Sequence, residues 1–395
     1  MHPPRIDRPA REPIPWSTLF LMLAVSRLAL AIVGMLSVQL LASGLSVMKG
    51  NLVFHEPVAL PLEIWARWDA EWYLLIAEKG YRSGEAFLHL PVGYEPEAAA
   101  GFLPLYPLLI RALAPLTGGV AAGVLISNLC LWASLGLLFV LARDAAGGGA
   151  AGRRAGLAAC GALLAFPMSF FLSAVYAESL FLLLSLGCFR LLHSERIAAA
   201  SACAALAAVT RPAGLLLALP IVWECLAGSR DEPRRAARAL WVLVVPAGLL
   251  GFMMWCASAL GDPLAFFHRQ ERWRGTMSGP WRAFTRWWES GPAAHGAHNS
   301  TVEMAVATVF VLMLPLLFAR LRTSYALYAA AAVMLPLCSS LWSFSRFGLT
   351  VFPVYILAGE AWARRRSPVA AACVVVGAIG SGFFMALYAG WWWAG

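Results

Sequence analysis

Short groups of ionisable and aromatic residues interrupt the apolar runs of this chain. The richest is Trp65-Ala66-Arg67-Trp68-Asp69-Ala70-Glu71-Trp72-Tyr73, continuing to Glu78, Gly80 and Tyr81. Tryptophan and tyrosine interleaved with charges suit a helix at a membrane interface, where the rings sit at headgroup depth. A carboxylate held there, Asp69, can accept a proton from the hydroxyl of a lipid-linked substrate. An amphipathic surface helix with no chemistry carries the same pattern.

Other groups could work with it. Tyr106 lies in Phe102-Leu103-Pro104-Leu105-Tyr106-Pro107, where two prolines bend the chain. Tyr176 and Glu178 lie in Tyr176-Ala177-Glu178-Ser179, between two apolar runs. An ionisable group so close to hydrocarbon is costly and is a functional candidate, although a helix N-terminus also favours a carboxylate. Arg211, in Thr210-Arg211-Pro212, and Arg346, in Ser345-Arg346-Phe347, each stand alone between apolar spans. Guanidinium binds phosphate bidentately, so an anion partner accounts for them, and snorkelling is the plainer alternative. His268 and Arg269 follow Phe266-Phe267 and precede Trp273. They could grip a phosphate, and with Arg272, Arg274, Arg282 and Arg286 they form a basic, aromatic loop.

The elements that must position these groups are membrane helices. The 395 residues are 61% hydrophobic and 13% charged, against about 25% charged in a soluble domain. Lipid absorbs such apolar surface, because a span needs about 20 apolar residues to cross ~30 Å of hydrocarbon. The net charge of +9 does not point to nucleic acid. The arginines cluster in short segments between apolar runs, as orientation signals do. The eight cysteines (130, 160, 188, 203, 225, 256, 338 and 373) lie in or beside apolar runs, without CxxC or zinc spacing, and read as small core hydrophobes.

The pattern predicts an all-α polytopic membrane protein, one transmembrane domain over 1–395. About eleven spans are expected, at 16–41, 119–142, 155–173, 177–192, 197–209, 213–227, 239–260, 304–319, 324–340, 347–363 and 368–391. The first run follows Arg5, Arg8 and Arg11 and is too long for a signal-peptide core, so it reads as a retained helix. The proline-rich piece 102–116 reads as re-entrant or interfacial. With the N-terminus inside, the inner segments hold 17 arginines against 11 Lys or Arg outside, with Arg234-Arg235 and Arg364-Arg365-Arg366 among the short inner loops. The positive-inside rule then places the C-terminus outside, with Trp391-Trp392-Trp393 as an interfacial belt. Two long outer loops form the active-site face. The loop 42–101 is acidic, with interfacial helices, and the loop 261–303 is basic. Long loops in compact proteins usually carry function.

The segments RWDAEWYLLIAEKGY, GFLPLYP, FFLSAVYAESLF, AVTRPAG and SRFGLTVFPVY, in that order over about residues 16–360, resemble the GPI mannosyltransferase 2 family and its prokaryotic relatives, which are C-type (GT-C) glycosyltransferases. The resemblance implies a multispan enzyme that takes a hexose, usually mannose, from a polyprenyl- or dolichyl-phosphate carrier. It places the catalytic carboxylate in the first outer loop, at Asp69. On this reading Asp69 is the general base of an inverting transfer to a lipid-linked or other extracytoplasmic acceptor. Arg211, His268, Arg269 and Arg346 bind the donor phosphate, with Trp68, Glu71, Tyr73, Tyr106, Tyr176 and Glu178 in support. The composition, rich in Ala, Gly and Arg, looks bacterial, which suggests the cytoplasmic membrane and leaves the acceptor open. There is neither a nucleotide-binding glycine loop nor a DxD pair. No cofactor is required, although Asp69-Ala70-Glu71 makes a divalent metal possible. The alternative, a lipid or lipid-linked sugar flippase, predicts internal repeats and broken spans at the midplane, and neither stands out.

Overall fold

The computed structural model describes residues 13–41, 58–81, 96–227, 238–364 and 368–395. Lys49, Glu56, Arg82, Glu85 and Glu95 of the expected acidic loop lie outside these residues. So do Arg5, Arg8, Arg11, Arg234, Arg235, Arg365 and Arg366, and the side chains of Glu97 and Arg272. Among the described residues the chain is helical and no β-strand forms.

In chain order the main helices are α1 (Trp16–Leu40), α2 (Asp69–Lys79), α3 (Leu105–Thr117), α4 (Gly119–Ala145), α5 (Gly149–Leu164), α6 (Glu178–Leu192), α7 (Ile197–Ala208) and α8 (Ala218–Leu226). Then come α9 (Ala247–Leu260), α10 (Ala265–Arg274), α11 (Trp281–Glu289), α12 (Thr301–Arg320), α13 (Thr323–Leu337), α14 (Phe344–Gly348), α15 (Pro353–Arg364) and α16 (Pro368–Ala389). Among the described residues, five helical stretches are long and apolar enough to cross a bilayer: Trp16–Leu40, Gly119–Ala145, Leu240–Leu260, Thr301–Arg320 and Ala370–Ala389. Four shorter apolar ones, Leu105–Thr117, Ile197–Ala208, Pro212–Leu226 and Thr323–Leu337, join them. On α1, Phe20, Leu21, Val25, Leu28 and Leu36 are exposed, while Leu19, Leu23, Arg27 and Leu30 are buried. A helix with apolar residues on both faces, one face packed on protein, is one whose other face meets lipid. The chain is an integral membrane protein.

Small residues let the helices approach closely, as packing in lipid requires. Helix α15 packs against α5 with Gly359 over Ala155 and Ala159, and a Cβ at Gly359 would stand 2.3 Å from the Ala155 carbonyl oxygen.

Several expected spans are shorter as helices. The stretch expected at 155–173 stops as a helix at Leu164, before Pro167, and 165–177 continues as turns and a 3-10 segment. Irregular backbone at membrane depth survives only where protein satisfies its polar groups. Arg27, from the middle of α1, does this. Its guanidinium donates to the Ser169 carbonyl at 2.7 Å and to Ser169 Oγ at 3.2 Å. The expected span 347–363 is divided between the short α14 and α15, which starts at Pro353, a residue suited to a first helical turn. The piece 102–116 contains the 13-residue α3, about 20 Å long at 1.5 Å per residue and short of the hydrocarbon thickness. It lies against the start of α4, with Tyr106 Oη donating to the Gly123 carbonyl at 3.0 Å. Helix α2 does not lie bare on a surface: its residues 70–77 are all buried, with α2 packed on α3 and α4.

Candidate active site

Asp69 opens α2, and the turn before it is strained. Trp68 has φ 60°, a conformation that favours glycine. Two buried tyrosines from distant elements hold this turn. Tyr176 Oη donates to the Arg67 carbonyl at 3.0 Å and accepts from the Asp69 backbone N–H at 3.1 Å. Tyr388 Oη accepts from the Arg67 N–H at 3.1 Å and lies 3.2 Å from the carbonyls of Trp65 and Arg67. The energy stored in the turn is thus opposed by buried hydrogen bonds, as is usual where backbone strain sits at a functional site.

The Asp69 carboxylate meets Arg346 at 2.7 Å. Arg346 also approaches Glu178, Nε to Oε1 at 3.5 Å, and Glu178 Oε1 accepts from Arg211 at 2.9 Å. Asp69, Arg346, Glu178 and Arg211, drawn from positions up to 277 residues apart, therefore form one alternating chain of charges. Burial lowers the Arg346 pKa, but the carboxylates of Asp69 and Glu178 outweigh it and hold the group above its usual value.

Each member has its own support. Glu178 sits in the first turn of α6, where the helix dipole favours a carboxylate, and is buried. Among the described residues its Oε2 has no hydrogen-bond partner. Arg211 is presented by a turn that closes on Gly214, whose Cβ, if it had one, would lie 2.2 Å from the Ala208 backbone nitrogen. Arg346 rides on α14. Glu303, buried at the start of α12, anchors that helix by accepting from the Ser345 N–H at 2.6 Å and from Ser345 Oγ at 2.8 Å. Ser343, immediately before α14, is a second non-glycine with φ 60°.

These groups line a cavity of about 650 Å³, within the range of small-molecule sites. Of the residues singled out from sequence, Trp68, Asp69, Glu71, Tyr73, Tyr176, Glu178, Arg211 and Arg346 line it. Tyr106 stands behind Tyr73, ring centroids 5.2 Å apart, and is fully buried. His268 and Arg269 are not in the lining. On α10 the lining residues are Phe266, Phe267, Gln270, Glu271, Trp273 and Arg274, and at 100° per residue 268 and 269 fall on another face. His268 is half exposed and pairs with Asp262 at 2.8 Å, a contact that pulls the Asp262 carboxyl below its usual value.

Arg274, on the same helix, does line the cavity. Its guanidinium donates to Ser339 Oγ at 3.0 Å and to the carbonyls of Trp342 at 2.6 Å, Pro336 at 3.1 Å and Ser340 at 3.1 Å. These acceptors are neutral oxygens. Burial first, then the fields of Arg346 and Arg211, push its pKa below the usual arginine value. Arg211, Arg274 and Arg346 all approach the Phe347 ring, at 4.8, 4.6 and 5.5 Å from its centroid. Three guanidiniums gathered round one ring form a site for an anion. Arg274 was legible in the sequence only as one arginine of the basic loop. Trp391 and Trp393, expected in an interfacial belt, line the cavity. Among the described residues, no group of three or more His, Cys, Asp or Glu side chains gathers to hold a metal ion.

Residues 57–253 match the model of the family described as mannosyltransferase (PIG-V). No curated protein matches the chain. Among solved structures, the chain is similar in fold to ArnT from Cupriavidus metallidurans. Against the form bound to undecaprenyl phosphate, the TM-score is 0.52 at 20% identity, covering 92% of this chain and 63% of that one. Against the apo form it is 0.53 at 18% identity, covering 92% and 62%. The chain thus spans less than two thirds of the length of these proteins, and the likeness is one of fold.

Proposed function

The chain belongs to the mannosyltransferase (PIG-V) family and has a C-type glycosyltransferase fold, and from that premise we propose that it moves a hexose, mannose, from a polyprenyl-phosphate carrier to an acceptor hydroxyl. The observation that carries this reading is the meeting of Asp69 with Arg346 in a cavity where Arg211 and Arg274 add cationic surface. Asp69 supplies the general base and the arginines supply the phosphate site.

The donor phosphate competes with Asp69 for Arg346. A phosphodiester that takes over this guanidinium frees the carboxylate as it docks, so the base is released when the donor is in place. The acceptor oxygen then attacks the anomeric carbon on the face opposite the phosphate, its proton passes to Asp69, and the bond from the anomeric carbon to the phosphate oxygen breaks with inversion. Polyprenyl phosphate leaves with its charge stabilised by Arg211, Arg274 and Arg346. Preorganised cations at a developing charge are usually the largest single catalytic contribution. Glu178 positions Arg211 and Arg346.

The test is release of polyprenyl phosphate from polyprenyl-phosphate mannose by the purified protein in lipid nanodiscs with mannoside acceptors. Asp69→Asn keeps the size of the side chain but cannot take the proton, and should lower the rate about 10²- to 10⁴-fold while donor binding persists. Asn at near wild-type rate would exclude Asp69 as the base, and no release by the wild type would refute the reading.

A further inference from the structure

Part of the cavity beside Asp69 is walled by tryptophans. Trp68 meets Trp393 edge-on, with ring centroids 5.1 Å apart, and Trp391 at 6.3 Å. Trp393 stacks on Trp342 at 5.7 Å with 23° between the planes. Arg346, the partner of Asp69, lies 5.7 Å from the Trp393 ring. All four indoles line the cavity. Trp391 is buried, so its ring is not a lipid-facing anchor. The neighbouring backbone is strained in three places, since Trp68, Ser343 and Trp391 are non-glycines at φ 60–65° and all three line the cavity. Among the described residues, two polar atoms of this wall, Trp68 Nε1 and Ser343 Oγ, are buried without a hydrogen-bond partner.

Flat indole faces beside a carboxylate match a pyranose ring, which has one C–H face to stack and a rim of hydroxyls that can meet Asp69. We propose that Trp68, Trp342, Trp391 and Trp393 form the acceptor subsite, and that the acceptor presents a neutral sugar ring stacked on this wall with its hydroxyl toward Asp69. This rests on the transferase reading for the identity of the base. The donor phosphate is assigned to the arginines round Phe347, with Arg346 between that ring and Trp393, so the two ligands bind side by side.

The experiment is equilibrium binding of octyl α-D-mannoside to the full chain in nanodiscs, against 1-octanol as the sugarless control, with and without saturating polyprenyl-phosphate mannose. The Asp69→Asn protein is used for this titration so that no turnover interferes. The mannoside should bind more tightly than octanol and should still bind with the donor present. Trp393→Ala should weaken it about tenfold, Trp393→Phe should restore most of the affinity, and polyprenyl phosphate should bind both variants as it binds wild type. Equal binding of mannoside and octanol, loss of the mannoside when donor is added, or unchanged affinity in Trp393→Ala would each overturn the proposal. If Trp393→Ala fails to fold, Trp342→Phe against Trp342→Leu gives the same comparison, with weakening in Leu only. Failure of polyprenyl phosphate to bind the wild type would count against the transferase reading and not against the sugar platform.

Discussion

Arg274 and Arg346 are both partly buried arginines on the cavity wall, but they are held differently. Arg346 faces two carboxylates, whereas Arg274 is held by carbonyls and a hydroxyl. Removing either takes away a charge-assisted contact to a bound phosphate, worth about 1.5–3 kcal/mol. Arg274→Ala and Arg346→Ala should therefore each weaken polyprenyl phosphate binding by roughly ten- to a hundredfold, measured by titration on protein whose melting profile is unchanged. Lysine at 274 keeps the charge but cannot reproduce the planar fork that spans three carbonyls, so Arg274→Lys should recover only part of the affinity. His268→Ala should leave it as in wild type, because that ring pairs with Asp262 on another face of α10. Equal losses in His268→Ala and Arg274→Ala would remove the distinction between the two faces of that helix.

The elements matter because each catalytic candidate sits at a helix end that another element must hold in place. The turn 208–214 shows how narrow the tolerance is. Gly214 packs directly on the backbone of Ala207 and Ala208, with the position of its missing Cβ only 2.2–2.5 Å from those atoms. A backbone neighbour cannot rotate away as a side-chain tip can. Gly214→Ala should destabilise the protein by about 1–3 kcal/mol and displace Arg211 from Glu178. A thermal melt in detergent gives the first effect and donor affinity gives the second. A melt unchanged from wild type would mean that the turn can open without cost. The same logic applies to α14, five residues long and held by the Ser345–Glu303 contacts. So short a helix has little stability of its own, and the position of Arg346 depends on Glu303.

Across the whole molecule, Asp69, Glu178, Arg211, Arg274 and Arg346 collect at one end of the bundle, where α2, α6, α10 and α14 meet. The arginine distribution predicts that this end is outside. In a background with Cys373, the exposed native cysteine, replaced by serine, Ser290→Cys should react with an impermeant thiol reagent applied to intact cells. Ser290 follows α11 near the cavity end, and Ser194 follows α6 at the other end; both are exposed. Ser194→Cys should react only after the membrane is opened. The reverse pattern would put the cavity on the cytoplasmic side, and with it the donor and acceptor.

Much of this was legible in the sequence, because some physical signals are local. Apolar runs with few charges specify membrane helices whatever their neighbours, and an acidic group among interfacial aromatics marks Asp69 without knowledge of its partners. Glu178, Arg211 and Arg346 stood out for the same reason, since each is a charge with no local explanation at the edge of hydrocarbon. What the sequence could not supply was phase and distance. Whether position 269 or position 274 faces the cavity depends on the rotation of α10, which its packing partners set. That Trp393 closes on Trp68 depends on α16 returning beside α1. Arg27 reads as an anomaly within a span until the irregular segment 165–177 is folded against it. The positive φ at Trp68 and Ser343 runs against local preference and is held only by hydrogen bonds and packing from distant parts of the chain. Helix formation is a property of neighbours in sequence. The site is a property of neighbours in space, and only the tertiary structure brings Asp69 to Arg346.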